Sequence, residues 1–441
     1  MNAAAGDERR DSRSEQGSLI VIALLAPLVG AVSGFVGAIF RLALEQADRL
    51  RNGLIDIASD QPWGILYIIG GCAAAAGVAA WLVRQFSPEA SGSGIPHVEA
   101  VLESELPPAP FRLIIVKFIG GLLAIGGGLA LGREGPSVQM GAGIAHFVGR
   151  TFRRTWPECR VLLAAGAGAG LATAFNAPIA GAIFVLEELV RRFEPRIAIA
   201  ALGASAVAIA VARLFLGNEP DFAISSLEPP TISVLPLFLL LGLLAGLLGW
   251  LYNTTLLATM SLADWAKWLP VELRAGLVGA AVGALAWYAP ALVGGGDNLT
   301  QRTLLGGEAW LVLPIVFVIR LALGAFSYAA GTPGGLFAPM LVLGAQIGLF
   351  VGLGFTLAVP DFGLQPESFA VVGMAAFFTG VVRAPLTGIV LVTEMTGNVT
   401  LLLPMLGACF VAMLIPNLVR NAPIYDSLRE ITLRRDRSRG A

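Results

Sequence analysis

Charge is scarce in this 441-residue sequence. Asp, Glu, Lys and Arg make up 13% of it, about half the share carried by a soluble domain, so water is not its main solvent. Cysteine and histidine are scarcer still. Cys72, Cys159 and Cys409 are scattered singly, and His97 and His146 stand alone. No spacing among them suits a metal site or a disulfide framework, and they read as small packing residues and incidental histidines. The net charge of −1 comes with no large basic face, which argues against nucleic acid as a partner. A plausible nucleophile, a metal cluster and a nucleotide loop are also missing. That makes a membrane-embedded enzyme using Glu134 and Glu188 as an acid/base pair the weakest reading, and the sequence calls for no metal and no cofactor.

What is abundant is apolar: 56% of the residues are hydrophobic, and long apolar runs recur at 19–40, 64–83, 197–216, 235–257, 275–293 and 401–419. Each approaches or exceeds the roughly 20 residues with which a helix crosses the hydrocarbon of a bilayer. The runs are continuously apolar, whereas strands of a membrane barrel alternate apolar and polar residues over about 10 positions. The expected fold is therefore an all-α, multi-pass membrane protein embedded in lipid.

Residues 1–18 are polar, carry Arg9, Arg10 and Arg13, and lack a signal-peptide cleavage pattern. They are expected to remain as an N-terminal tail. The far end, 426–441, is a second basic tail with Arg429, Arg434, Arg435, Arg437 and Arg439, whereas 217–231 carries Glu219, Asp221 and Glu228. By the positive-inside rule both tails face the cytoplasm and 217–231 is an extracellular loop between two membrane halves, 19–216 and 232–425. A basic cluster at 150–160 argues the other way.

Glycine and proline, 54 and 26 residues, cut several apolar segments into pieces too short to span. Broken helices are tolerated in a bilayer only where they are buried in protein or line a wet cavity, so the breaks point to a site near the midplane. Two of them recur. Gly132-x-Glu134-Gly135-Pro136-x-x-x-Met140-Gly141-Ala142-x-Ile144 matches Gly335-x-Phe337-Ala338-Pro339-x-x-x-Leu343-Gly344-Ala345-x-Ile347, with Pro339 lying 203 residues after Pro136. Ala177-Pro178-x-x-Gly181-x-x-x-Val185-x-Glu187 matches Ala384-Pro385-x-x-Gly388-x-x-x-Val392-x-Glu394, at a shift of 207 residues. Either the two halves are duplicated, a pattern common in transporters, or Gly- and Ala-rich segments coincide by chance. An inverted duplication brings the paired breaks together at the membrane centre.

Three segments, 92–96 (GSGIP), 132–136 (GREGP) and 334–339 (GGLFAP), free backbone N–H groups just before an apolar helix. A helix N-terminus carries about half a positive charge and unsatisfied donors, so it can hold an anion without a buried cation. The other reading is tight turns between packed helices. Glu134 is a carboxylate deep in a span and so a functional candidate. The donors that hold an anion can hold its side chain instead, which makes it a gate and a proton carrier; alternatively it is an acidic cap. Glu187 and Glu188 precede Arg191 and Arg192 and can form an interfacial ion-paired group. The repeat partner Glu394 favours a structural duty for Glu187, while Glu188, opposite Met395, is free to load protons. Lys117 and Arg320 either raise the local potential for anions or pair with acids.

These segments together resemble the CLC family of chloride channels and chloride/proton antiporters. The family's signature stretches are the three just named, and AFNAPIAGAIFVLEE (174–188), RAPLTGIVLVTEMT (383–396) and PIY (423–425) are similar to further family segments. The resemblance covers about residues 20–430. It implies an inverted duplication of tilted, broken helices in a homodimer, with one pathway per subunit. It further implies that Ser93 and Tyr425 supply hydroxyls to a central chloride, completed by backbone N–H groups of Leu336 and Phe337 and by the backbone at Gly135. Glu134 corresponds to the external gating glutamate and Glu188 to the internal proton glutamate of the family's exchangers, which favours chloride/proton antiport over a passive channel. Ser93 favours chloride over nitrate or fluoride. The resemblance also places the chain in a bacterial inner membrane, and the short stretch after Tyr425 leaves no room for a cytoplasmic nucleotide-binding domain.

Overall fold

The structure is a computed structural model that describes residues 2–224, 227–266 and 268–440. The side chains of 2–19 and 438–440 fall outside that description, and with them Arg9, Arg10, Arg13 and Arg439. Among the described residues there are seventeen α-helices and no strand. The first eight are α1 (Asn2–Ser59), α2 (Gly64–Phe86), α3 (Ile95–Leu102), α4 (Arg112–Gly126), α5 (Glu134–Thr151), α6 (Trp156–Phe175), α7 (Pro178–Phe184) and α8 (Pro195–Leu216). The next eight follow in the same rhythm: α9 (Leu235–Trp265), α10 (Val271–Tyr288), α11 (Asp297–Leu304), α12 (Leu313–Ala329), α13 (Phe337–Ala358), α14 (Pro366–Val382), α15 (Pro385–Thr396) and α16 (Leu402–Leu418). A last helix, α17 (Ile424–Gly440), closes the chain.

Among the described residues, seven helices are long and apolar enough to cross a membrane. Two of them, Trp156–Phe175 and Phe337–Ala358, lie outside the apolar runs picked from the sequence. The first is diluted by Ala and Gly to a hydropathy of 1.2; the second follows directly on the Gly/Pro break at 334–339. The run expected at 275–293 ends early, at Tyr288, because Pro290 drives Ala289 out of the helical region to φ −146°, ψ 70°. Neither tail is irregular: the backbone is helical from Asn2, and 426–437 lie on α17, which packs on α3 and is tied down by Arg429–Glu105 and Arg435–Asp264 ion pairs.

The two halves end their matching helices by one device. α6 stops at Asn176 in the left-handed conformation, Ala177 extends ahead of Pro178, and Pro178 opens α7. In the second half Arg383, Ala384 and Pro385 do the same between α14 and α15. A left-handed residue closes a helix, and proline suits the first turn of the next.

Matching helices also meet each other, and they meet antiparallel. Along α2 the contacts climb from Ile69 through Cys72 and Ala76 to Gly77, while along α10 they descend from Gly283 through Gly279 to Glu272. The duplication is therefore inverted. At the centre α5, α6, α13 and α14 are buried almost all round, as an apolar helix without a polar face must be. Glycines let their backbones touch: a methyl at Gly141 would sit 2.1 Å from the Gly166 carbonyl oxygen, and one at Gly344 would sit 2.5 Å from that of Gly373.

Candidate functional site

The three Gly/Pro-rich segments are all helix starts: 92–96 leads into α3, 132–136 into α5 and 334–339 into α13. They converge. Gly132 and Gly335 exchange two backbone hydrogen bonds of 2.8 and 2.6 Å, and Gly92 donates to the Thr332 carbonyl at 3.0 Å while Gly334 donates to that of Gly92 at 3.1 Å. Gly135 lies so close to Ser93 that a methyl there would sit 2.4 Å from Ser93 Oγ. Gly132 and Gly335 are 203 residues apart in the chain, and each of the three segments presents first-turn N–H groups without intrahelical partners.

Phe337, the first residue of α13, is held by four aromatic rings, Phe175, Phe184, Phe378 and Tyr425, at centroid distances of 5.9, 5.6, 4.7 and 6.1 Å. Such spacing is favourable for ring pairs, and it fixes the backbone at Leu336 and Phe337. Ser93 Oγ and Tyr425 Oη are fully buried and have no hydrogen-bond partner among the described residues. Buried hydroxyls are normally satisfied, so a pair of unpaired ones beside two helix N-termini fits an anion as their acceptor. Ser93 N donates to Tyr328 Oη at 3.4 Å. Tyr328, a third buried hydroxyl, beside Ser93, is not marked by any of the sequence patterns.

Glu134 opens α5 and is fully buried. Its Oε2 accepts from Ala338 N, in the first turn of α13, at 3.5 Å, and its Oε1 has no partner. The carboxylate thus occupies a helix N-terminus of the opposite half. A cleft of about 260 Å³ reaches it, lined among others by Gly132, Ala338, Asp48, Arg51 and Asp297. The preceding Arg133 anchors the segment: it donates to the Ala174 carbonyl at 2.9 Å and pairs with Asp297 at 2.9 Å and Asp221 at 3.4 Å, and Asp221 also pairs with Arg41 at 2.7 Å.

Glu188 lies in a π-helical turn, Val185–Leu189, that prolongs α7, and is buried. Arg191 Nη2 reaches three carboxylates: Asp426 at 2.5 Å, Glu188 at 3.3 Å and Glu99 at 4.0 Å. Glu99 and Asp426 escaped the sequence reading. The signal for Glu99 was a lone acid inside the apolar helix that follows GSGIP; for Asp426 it was its place next to Tyr425.

Lys117 and Arg320 hydrogen-bond backbone carbonyls rather than acids. Lys117 donates to Ala90 and Gly92 at 3.0 and 2.7 Å; Arg320 donates to Leu292, Gly294 and Gly295 at 3.0, 2.9 and 3.1 Å. They occupy matching places in the two halves, each bracing the glycine loop ahead of a short helix, α3 or α11. His97 and His146 line one small void with Gln139. No group of three potential metal ligands occurs among the described residues.

The sequence pattern of the family described as voltage gated chloride channel matches residues 74–417. Among curated relatives, the H(+)/Cl(-) exchange transporters ClcA of Salmonella arizonae and Citrobacter koseri are each 37% identical over 426 residues, 94% of this chain and 89% of theirs. The crystal structure of a slow cyanobacterial Cl-/H+ antiporter superposes with a TM-score of 0.89 at 33% identity, over 93% of this chain and 98% of that one. A eukaryotic CLC transporter shares the fold, with a TM-score of 0.80 at 24% identity over 94% of this chain and 74% of its own. Matched by the family pattern over residues 74–417 and by exchange transporters over 94% of its length, the chain belongs to the voltage-gated chloride channel family, the CLC proteins.

Proposed function

We infer that this multi-pass membrane protein is a secondary active antiporter that exchanges chloride for protons. The observation that carries the reading is the Glu134 carboxylate, which lies at the N-terminus of α13 and lines the cleft, one residue from Gly135, against which Ser93 packs. Chloride and carboxylate compete for the same N–H groups, so the carboxylate must leave, by taking a proton, before an anion can pass. Ser93, Tyr425 and the backbone at Gly135, Leu336 and Phe337 hold the ion. Glu188, buried in the group it forms with Arg191 and Asp426, exchanges protons with the solution opposite the cleft. The names of the curated relatives and of the cyanobacterial structure support exchange over a passive channel.

The same reading divides the chain into membrane halves at 19–216 and 232–425 around an outer loop at 217–231. It places both termini in the cytoplasm of a bacterium, at its inner membrane, and pairs two copies as a homodimer with a pathway in each. Exposed apolar side chains on α8, α9 and α16, such as Leu202, Leu243 and Phe410, suit lipid or a second copy. Protein in liposomes, given crossed chloride and pH gradients, tests the core of the proposal. Proton movement against its gradient driven by chloride is expected; chloride current reversing at the chloride potential at every pH would establish a channel.

A further inference from the structure

Arg191 sits where the π-helical turn gives way to loop, in the left-handed conformation at φ 56°. Its Nε donates to the carbonyl of Glu188 at 3.1 Å, and a single terminal nitrogen, Nη2, faces Asp426, Glu188 and Glu99 at 2.5, 3.3 and 4.0 Å. That nitrogen carries two protons, so three carboxylates cannot all be hydrogen-bonded by it. Glu99 loses: it is 1% exposed and neither of its oxygens has a hydrogen-bond partner among the described residues. Asp426 is the member in touch with solvent, its side chain 32% exposed against 4% for Glu188 and 2% for Glu99.

We propose that Arg191 and Asp426 form the inner proton port of the exchanger, with Arg191 a positioning residue whose charge is divided between the solvent-side carboxylate of Asp426 and the buried carboxylates of Glu188 and Glu99. An ionised Asp426 draws the guanidinium outward and leaves Glu188 poorly paired, which favours Glu188 taking a proton. Without that partner the guanidinium turns to Glu188, which favours the carboxylate and the release of its proton. The sharing of Arg191 at the mouth thereby sets the proton occupancy of the buried residue. Asp426 directly follows Tyr425, so the same helix start carries a chloride-facing hydroxyl and the port's outer carboxylate. The other charged groups facing the cluster are Glu187 beside Glu188, Arg429 on α17 and Arg383 at the end of α14. Arg429 is engaged by Glu105 at 2.7 Å, and Arg383 by the carbonyls of Gly380, Val381 and Asn421.

The proposal rests on Glu188 as the inner proton residue, so the experiment includes Glu188→Gln. Proton flux driven by a chloride gradient is measured in liposomes across a range of inner pH for Asp426→Asn, Arg191→Gln and Arg191→Lys. Asp426→Asn removes the competitor for the guanidinium, and its half-maximal pH is expected to fall by about one unit. Arg191→Gln removes the cation, and its half-maximal pH is expected to rise by about as much. Arg191→Lys keeps the charge and is expected to stay near the unmodified protein. Opposite shifts support the port. Shifts of one sign, or a loss of amplitude at unchanged midpoint, overturn it and reduce the cluster to a structural tie. Should Arg191→Gln fail to fold, the isosteric Asp426→Asn decides by the direction of its shift alone. If Glu188→Gln itself leaves proton flux intact, the functional reading of Glu188 falls, whatever the midpoints do.

Discussion

Glu187 and Glu394 cap each other's helices. Glu187, beyond the end of α7, accepts from Leu386 N at 3.0 Å and Thr387 N at 2.6 Å in the first turn of α15. Glu394, near the end of α15, accepts from Ile179 N at 3.1 Å and Ala180 N at 2.8 Å in the first turn of α7. Reciprocity of this kind needs the two helices to lie antiparallel, so it is a product of the inversion. It also removes two helix N-termini from competition for anions, leaving those of α3, α5 and α13 at the pathway.

Glu187→Ala and Glu394→Ala should each lower stability by about 1–2 kcal/mol, the worth of a lost cap with its charge at a helix start. Thermal unfolding in detergent measures this. The isosteric glutamine variants, which keep an acceptor, should recover part of the loss.

Glu134→Gln should abolish proton transport while chloride still passes. The sign with pH follows from competition. In the unmodified protein, acid neutralises the carboxylate and frees the N–H groups of α13, so chloride affinity should rise as pH falls; in the variant it should be flat. Calorimetric chloride titration at several pH values distinguishes the two profiles.

Ser93→Ala and Tyr425→Phe each delete one hydroxyl aimed at the ion. A hydrogen bond to a charged partner contributes about 1.5–3 kcal/mol, so chloride affinity should drop on the order of 10-fold or more in each, with the fold retained. Equal affinity in both variants and parent would remove these hydroxyls from the site.

Gly132→Ala should displace the gate without touching its carboxyl group. A methyl at Gly132 would lie 1.9 Å from Glu134 Oε2 and 3.2 Å from Ala338 N, so the side chain must quit its place on α13. The ratio of chloride to proton transported, read from paired flux assays, should increase.

Lys117→Met should destabilise more than its small change in volume suggests, because it strands the buried carbonyl of Ala90 and leaves that of Gly92 with Gly334 N alone. An unsatisfied group costs about 1–3 kcal/mol. A melting temperature within a degree of the parent's would show that the GSGIP loop keeps its shape without the brace.

Much of this architecture is legible in the residues. Pro136 and Pro339, 203 residues apart, mark matching helix starts, and the pairing of Glu187 with Glu394 points to their shared structural role before any contact is visible. What stayed hidden depends on the third dimension. Lys117 and Arg320 read as partners for acids, since nothing in an apolar run reveals that backbone carbonyls turn toward them. Gly94 and Gly296 close matching loops with φ of 86° and 98°, yet GSGIP and GGGDN share too few side chains for the correspondence to be read. Glu99 and Asp426 reach Glu188 only through Arg191, from three segments distant in sequence. The exchange of hydrogen bonds between Gly132 and Gly335 could be anticipated only as a meeting of breaks, not as a paired backbone.

That pairing has a consequence for how the protein is made. Residue 132 leaves the ribosome long before residue 335; at 5–20 residues per second the wait is roughly 10–40 s. Tyr425 arrives later still. For that interval a buried carboxylate and several open helix ends reside in the membrane without the segments that complete them. Assembly of the ion pathway is therefore a late, post-insertional event, and chaperoning of the half-built protein by the insertion machinery becomes part of its folding problem.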